Sequence, residues 1–237
     1  MPPSPTPTFR TPDGRVVPAV SAEGMREVDR VAVEEVGVSI PMMMEHAGRS
    51  LADPLRGYDG RVVVLAGSGG NGGGGLCAAR HLLNAGVDVR VVLGPDPDGL
   101  TGATARQFAV LREMGVSPAP DDALDDADLA LDALVGYGLS GPLRGHPAEL
   151  VDRLGEADPA VRSLDVPSGV DATTGERPGP WVEAGLTTTL ALPKTGLGDV
   201  GPLRLADIGL PRVVFERAGV DYEWPYGDGV AVDLSVG

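Results

Sequence analysis

A short apolar run that leads into a stretch of glycines constrains this fold more than any other feature of the sequence. Residues 62–65 read Val-Val-Val-Leu, as expected of a strand buried on both faces of a parallel sheet. Residues 67–75 are mostly glycine, and residues 76–86 carry a helical stripe of apolar side chains. A strand, a glycine loop and a helix in this order place backbone N–H groups and a helix N-terminus where they can hold a phosphate. We therefore predict that the loop binds the phosphates of a nucleotide-type ligand.

The alternative for residues 67–75 is a flexible turn without a ligand. Ordering so many glycines costs considerable backbone entropy, which favours a ligand over the plain turn. The glycines are not followed by the Lys-Ser/Thr pair of a Walker A loop, and the loop holds no Arg or Lys. These absences disfavour ATP hydrolysis.

Strand-like and helix-like segments alternate along the chain. Further apolar runs typical of strands lie at 87–93, 129–134, 161–166, 186–192 and 203–208, and helical patterns lie at 21–36, 41–51, 104–114 and 148–155. This alternation predicts an α/β fold with a doubly wound, mostly parallel sheet. We expect one domain over residues 14–237. We expect the proline-rich residues 1–13 to be a flexible tail, or else an arm lying against the surface, in either case outside the core.

The charge and cysteine content exclude several classes of protein. A formal net charge of -15 disfavours binding to nucleic acid or to anionic lipid, because both need Lys and Arg to neutralise phosphate. No apolar stretch is long enough to span a membrane, and the first residues lack the apolar core of a signal peptide. With a single cysteine, Cys77, neither a disulfide framework nor a structural zinc site is expected. We predict a cytoplasmic protein.

Polar residues follow three of the predicted strands. They are Asn71 in the glycine loop, Asp132 at the end of one strand, and Asp165 and Ser168 at the end of another. Parallel strands bring their carboxyl ends to one edge of a sheet, so these side chains could meet in one cleft. Each residue taken alone also has a local structural explanation. A cap of the next turn explains Asp132 about as well as a ligand-binding role does, and Asp165 could close an Asx-turn before a proline.

The sequence resembles the NAD(P)HX epimerases, the YjeF N-terminal domain family. The resemblance extends over nearly the whole chain and rests on several separate motifs in the family's order. The motifs are Met-Glu-His-Ala-Gly at 44–48, the glycine-Asn loop leading into Ala-Ala-Arg-His-Leu at 78–82, residues 132–144, Leu-Asp-Val-Pro-Ser-Gly-Val-Asp at 164–171, Pro-Lys-Thr-Gly-Leu at 193–197 and Asp-Ile-Gly-Leu-Pro at 207–211.

The resemblance implies a three-layer α/β/α, Rossmann-like fold and the interconversion of the R and S epimers of hydrated NADH and NADPH. It implies that Asp165 is the catalytic acid/base and that Asn71, Asp132 and Ser168 hold a potassium ion. It also implies a homodimer and a separate dehydratase that completes the repair. The residues that it places against the substrate are Gly70, Asn71, Gly72, Gly73, Gly74, Gly136, Tyr137, Gly138, Leu139, Ser140, Gly141, Arg144 and Asp165.

The glycine loop departs from the family pattern Asn-Asn-Gly-Gly-Asp-Gly. Gly70 stands where the family has its first Asn, and Gly74 stands where it has Asp. These departures favour an alternative function, a nucleotide-binding scaffold with weak or no catalysis, whereas Asp132, Asp165 and Ser168 favour the enzyme. We expect Lys194 to be a solvated residue outside the site. We expect packing or surface roles rather than metal binding for His46 and His81, and we expect Cys77 to be a small buried residue.

Overall fold

Nine strands form one continuous sheet in residues 6–237, the part of the chain that this computed structural model describes. The strands are β1 (Phe9–Arg10), β2 (Val16–Val17), β3 (Val62–Ala66), β4 (Val89–Leu93), β5 (Leu129–Ala133), β6 (Ala160–Leu164), β7 (Leu186–Leu190), β8 (Leu203–Ala206) and β9 (Ala231–Val236). The α-helices are α1 (Ala22–Arg30), α2 (Ile40–Ala52), α3 (Gly70–Asn84), α4 (Gly102–Glu113), α5 (His146–Ala157) and α6 (Arg212–Arg217), with a π-helical turn at Val31–Val36 after α1.

The sheet is mostly parallel, as the sequence predicts. Its strand order is β2-β1-β9-β8-β7-β6-β5-β3-β4, and neighbouring strands from β4 to β8 run parallel. The order reverses direction beside β3, since β4 lies on one side of it and β5 on the other. In doubly wound sheets a ligand crevice forms at such a switch point, beyond the carboxyl ends of the strands.

Helices cover both faces of the sheet. Successive side chains of a strand point to opposite faces, and in β3 the side chains of Val62, Val64 and Ala66 pack with α2, α3 and α4. Val63 and Leu65 pack on the other face with α5. All five are fully buried, which explains the unbroken apolar run in the sequence. The layers are therefore helix, sheet and helix.

The prediction of a flexible tail over residues 1–13 is wrong from Phe9 onward. β1 pairs antiparallel with β2 and with β9, and Phe9 has no exposed surface. The composition of the segment does not indicate this strand, because the strand is only two residues long and one of its two partners, β9, lies at the other end of the chain. Residues 1–5 lie outside the described residues.

The glycine run is helix rather than loop, which corrects a second prediction. Only residues 67–69 connect β3 to α3, and Gly70 already begins the helix. A β carbon at Gly72 would lie 1.8 Å from the carbonyl oxygen of Gly67, and one at Gly75 would lie 2.5 Å from Cβ of Ala133. Most of these glycines therefore serve close packing of α3 against the sheet and against its own turn, not contact with a ligand.

Replacing Gly72 with Ala is expected to lower the free energy of unfolding by about 3 kcal/mol, because the new methyl group meets rigid backbone. Gly70→Ala is the matched control, since a β carbon there meets nothing within 4 Å and Ala is the better helix former. Urea titrations of both variants measure the difference. Equal stability of the two variants would show that α3 does not need this close approach.

No helix in the described part of the chain is both long and apolar enough to cross a lipid bilayer.

Candidate active site

A cavity of about 540 Å³ opens at the carboxyl ends of β3, β5 and β6. Its walls come from α1 and α2, from the turn that connects β3 to α3, and from the segments that follow β5 and β6. Cavities of this volume and position hold small-molecule ligands in doubly wound proteins. The lining is mainly apolar, with Asp29, Asp165 and Lys194 among the few charged groups.

Asp165 is held at this cavity in an unusual conformation. It directly follows β6 with a φ of 68°, in the left-handed region that residues other than glycine adopt at a cost. Its side chain accepts a hydrogen bond at Oδ1 from Lys194 Nζ and at Oδ2 from the Tyr137 backbone N–H at 3.0 Å. A carboxylate has about four acceptor positions, so each oxygen keeps one for a ligand.

Lys194 forms a buried ion pair with Asp165, which corrects the expectation that it is solvated. It is fully buried, lines the cavity, and also donates to the Leu190 carbonyl at 2.9 Å. Lys194 is the only lysine of a sequence whose other basic residues are arginines, and it follows an apolar strand. That isolation was the signal that sequence reasoning missed. Because the pair lies at the wall of the cavity, both groups are within reach of a bound ligand and are candidates for proton transfer.

Asp132 and Ser168 lie together behind the cavity. Asp132 is fully buried and accepts hydrogen bonds from Ser163 Oγ at 2.7 Å, Ser168 N at 2.9 Å and Leu134 N at 3.2 Å. Ser168 Oγ is 2.5 Å from the other side of the same carboxylate. Burial raises the pKa of Asp132, and these hydrogen bonds oppose that rise. The two predicted ion ligands are thus in contact, although neither lines the cavity.

Asn71, in the first turn of α3, lies close to Asp165 at the wall of the cavity. A β carbon at Gly136 would lie 3.1 Å from Asn71 Oδ1 and 2.7 Å from Asp165 Oδ2, so the two side chains approach each other over this glycine. The Asn71 amide nitrogen is buried and has no hydrogen-bond partner among the described residues. A buried amide without a partner is a position where a ligand group is expected.

Comparison with known proteins decides the family. Residues 41–196 match the family model described as YjeF-related protein N-terminus. The chain belongs to this family. An NAD(P)H-hydrate epimerase from Dehalogenimonas lykanthroporepellens is 46% identical, with 96% of this chain aligned to 97% of that protein.

Two further comparisons show a longer relative and a solved structure with the same fold. The bifunctional NAD(P)H-hydrate repair enzyme Nnr from Moorella thermoacetica is 35% identical over 81% of this chain, which spans 41% of that protein. The crystal structure of yeast ynu0 superposes with a TM-score of 0.78, covering 92% of this chain and 100% of the yeast chain at 22% identity. This structural similarity confirms the predicted fold.

The structure divides the substrate-binding residues that the YjeF resemblance implies into two groups. Those that line the cavity are Gly70, Asn71, Gly136, Tyr137, Gly138 and Asp165. Those outside its lining are Gly72, Gly73, Gly74, Leu139, Ser140, Gly141 and Arg144. The three glycines belong to α3 and are buried where it packs against its neighbours. The other four residues lie further along the segment that follows β5, beyond its cavity-lining part.

Asp29 is a site residue that no sequence motif indicates. It lies on α1, lines the cavity, and accepts a hydrogen bond from the Tyr137 hydroxyl. Burial raises the pKa of Asp29, and the tyrosine hydrogen bond acts in the opposite direction. Nothing in the sequence around Asp29 distinguishes it from the other acidic residues of α1, because its role depends on how α1 packs over the end of β5.

Proposed function

We propose that this protein is an NAD(P)H-hydrate epimerase that interconverts the R and S epimers of hydrated NADH and NADPH. The observation that carries the proposal is the ion pair of Asp165 and Lys194, buried at the wall of a cavity large enough for the hydrated ring. The family membership and the 46% identity with an NAD(P)H-hydrate epimerase support it.

The hydrated carbon of the substrate carries a hydroxyl group and is bonded to the ring nitrogen. Its configuration inverts when its bond to nitrogen breaks, leaving an aldehyde, and then forms again on the opposite face. In our proposal Asp165 takes the hydroxyl proton as that bond breaks, while Lys194 gives a proton to the ring nitrogen. Both protons return on reclosure, so the enzyme ends in its starting state. The contacts from Tyr137 N–H and Lys194 keep the carboxylate in place during both steps.

The start of α3 is the proposed position for the substrate's pyrophosphate. Ser68, Gly69, Gly70 and Asn71 line the cavity there, and a β carbon at Gly69 or Gly70 would meet nothing within 4 Å. The backbone is therefore open to a ligand at the N-terminal end of the 15-residue helix α3, where the helix dipole attracts anions. This is a shorter phosphate site than the sequence predicts, because the later glycines are used for packing.

We propose that the oxygens of Asn71, Asp132 and Ser168 hold a potassium ion. The donor types fit, since a buried carboxylate, a hydroxyl and an amide oxygen suit a hard cation, and no cationic side chain hydrogen-bonds to Asp132 in the described structure. The four acceptor positions of this carboxylate are taken by Leu134, Ser163 and Ser168, so the ion would replace one of these hydrogen bonds. The ion would supply a fixed positive charge behind the wall of the cavity. Within the protein, Asp132 and Ser168 hold the segments after β5 and β6 against each other.

Exchanging potassium for choline is expected to lower the epimerisation rate by about tenfold or more, with recovery when potassium returns. In Asp132→Asn the rate is expected to be low in either salt, because the carboxylate ligand is gone. The thermal midpoint gives an independent readout, since an ion that binds only the folded state raises it. A rate and midpoint that ignore potassium would contradict the site.

The test of the function starts from the single R epimer of hydrated NADH. Purified protein is mixed with this epimer, and the S epimer is followed by chromatography against a buffer blank. Faster appearance of the S epimer supports the proposal. Binding of the epimer without any acceleration would instead support the nucleotide-binding scaffold, which the glycines at positions 70 and 74 favour.

Three further properties follow as proposals from the family. A separate dehydratase would act on the S epimer, in keeping with the bifunctional name of the Moorella relative. A homodimer would cover exposed apolar side chains near the start of α2, among them Val33, Ile40 and Met42. We also place the protein in the cytoplasm, the compartment predicted from its sequence.

A further inference from the structure

A second cluster of reactive side chains lies between α2 and α3, apart from the lining of the cavity. It consists of Glu45 on α2 and of Cys77 and His81 on α3, and one ligand atom from each lies within 4.8 Å of the other two. Glu45 Oε1 is 2.7 Å from His81 Nε2, and Glu45 Oε2 is 3.3 Å from Cys77 Sγ. The mechanism proposed above uses none of the three.

The packing of the two helices creates this geometry. Cys77 and His81 are four residues apart, so they share one face of α3 one turn apart. Gly48 allows α2 to come close, since a β carbon there would lie 2.5 Å from Cys77 Cβ. That approach brings Glu45 over the same face. Cys77 is buried, while Glu45 and His81 are partly exposed, so an ion has a path from solvent.

We propose that Glu45, Cys77 and His81 form a zinc site. Zinc binds thiolate sulfur, imidazole nitrogen and carboxylate oxygen, and three protein ligands with a water molecule complete a common four-coordinate arrangement. On binding, the Cys77 thiol releases its proton to solvent and the thiolate becomes a ligand. In the sequence, Glu45 is 32 positions from Cys77 and 36 from His81, so only the fold brings this third ligand to the residues for which structural roles are predicted.

Arg80 belongs to this cluster and is compatible with the ion. Its guanidinium donates to Glu45 Oε2 and lies 3.3 Å from Cys77 Sγ. A carboxylate has two oxygens, so Arg80 can keep one while zinc takes the other, as outer hydrogen-bond partners do in many zinc sites. With zinc at +2, Cys77 and Glu45 at -1 each and Arg80 at +1, the local charge is +1, which a chain of net charge -15 accommodates.

The ion would link α2, which forms one wall of the cavity, to α3. Met44 and Ala47 of α2 line the cavity, whereas Glu45 points to α3. Zinc at Glu45 would therefore bind α2 to α3 without touching the substrate. The site does not depend on the proposed epimerase activity, and its test uses no substrate.

The test is metal titration of the full-length, chelator-treated protein with cobalt and with zinc. We expect one cobalt ion per chain, with the intense near-ultraviolet absorption of a cobalt–thiolate bond, and displacement of cobalt by zinc. Cys77→Ser removes this absorption and weakens zinc binding by about a hundredfold or more. Glu45→Gln keeps the absorption but weakens binding, since a neutral amide is a poorer ligand than a carboxylate.

His146→Gln is the matched control, because His146 pairs with Asp121 far from any cysteine in the sequence. It should bind cobalt and zinc like the unaltered protein. Circular dichroism and urea unfolding show that each variant is folded before it is titrated. The proposal is overturned if the folded protein gives no thiolate absorption, or if Cys77→Ser binds zinc as tightly as the unaltered chain.

Discussion

Replacing Asp165 with Asn is expected to lower kcat for epimerisation by roughly 100-fold to 10,000-fold, the contribution usually made by a positioned acid/base. The amide cannot take a proton from the substrate hydroxyl, and it has only one oxygen to accept from Lys194 or Tyr137 N–H. Asn tolerates the φ of 68° better than most residues, so the backbone should be retained. Steady-state kinetics with the R epimer measure the loss.

Asp158→Asn is the control for this experiment. Asp158 also has a positive φ, of 50°, but it precedes β6 and therefore lies at the opposite end of that strand. Its kcat should equal that of the unaltered protein. A kcat in Asp165→Asn within a factor of about two of the unaltered enzyme, in a variant with the same unfolding curve, would remove Asp165 from the reaction.

Replacing Lys194 with Met is expected to lower the free energy of unfolding by about 3–5 kcal/mol. Met matches the length of the lysine side chain but leaves the buried Asp165 without its cationic partner. The Leu190 carbonyl also loses a donor. Removing one member of a buried pair costs more than the pair itself contributes, because the remaining charge has no compensation. Urea unfolding measures the change.

The double variant Asp165→Asn, Lys194→Met completes the cycle. It should recover part of the stability lost in Lys194→Met, because no uncompensated charge is left. Arg204→Met serves as the comparison, since Arg204 and Asp233 form an ion pair that is about one-third and two-thirds exposed. Its removal should cost less than about 1 kcal/mol. Equal losses for Lys194→Met and Arg204→Met would show that the buried Asp165–Lys194 pair matters no more for stability than an exposed ion pair.

The central part of the fold could be predicted because its signals are local. A continuous apolar run such as residues 62–65 fits a strand buried on both faces, and its position before a helix fixes a parallel connection. The edge strands gave no such signal. β1 and β2 have two residues each, too few for a period to be seen, and β9 alternates only partly between buried and exposed side chains.

The prediction that residues 67–75 form a phosphate-binding loop is wrong for most of these glycines, and the reason is physical. The same absence of a side chain allows a backbone to approach a phosphate or to approach another backbone, and the sequence does not distinguish these uses. Gly69 and Gly70 are open to the cavity, whereas Gly72 is in close contact with protein atoms on the side where a side chain would begin. Only the packing of α3 against its neighbours separates the two groups.

Within the site, residues at strand ends were predictable, and of the helix residues Asn71 was predicted whereas Asp29 was not. Asp132 lies near the carboxyl end of β5, and Asp165 directly follows β6, which pairs with β5, so the sheet alone brings them to one edge. Asp29 comes from a helix whose angle over the sheet depends on its whole packed face. Lys194 could have been found from its isolation as the single lysine, but its pairing with Asp165 depends on the fold and could not.

The pairing of β1 with β9 has a consequence for how the chain acquires its structure as it is synthesised. Phe9 lies opposite Val236, and Thr8 and Gly237 exchange backbone hydrogen bonds at 3.0 and 2.9 Å. The ribosome releases the first of these residues long before the last, so the N-terminal strand must wait for its partner. The parallel strands between them can associate earlier. Closing this edge is therefore a late event with a long loop to close. Removing β9 would expose Phe9 and one edge of β8, whereas removing β1 would leave β2 without its partner.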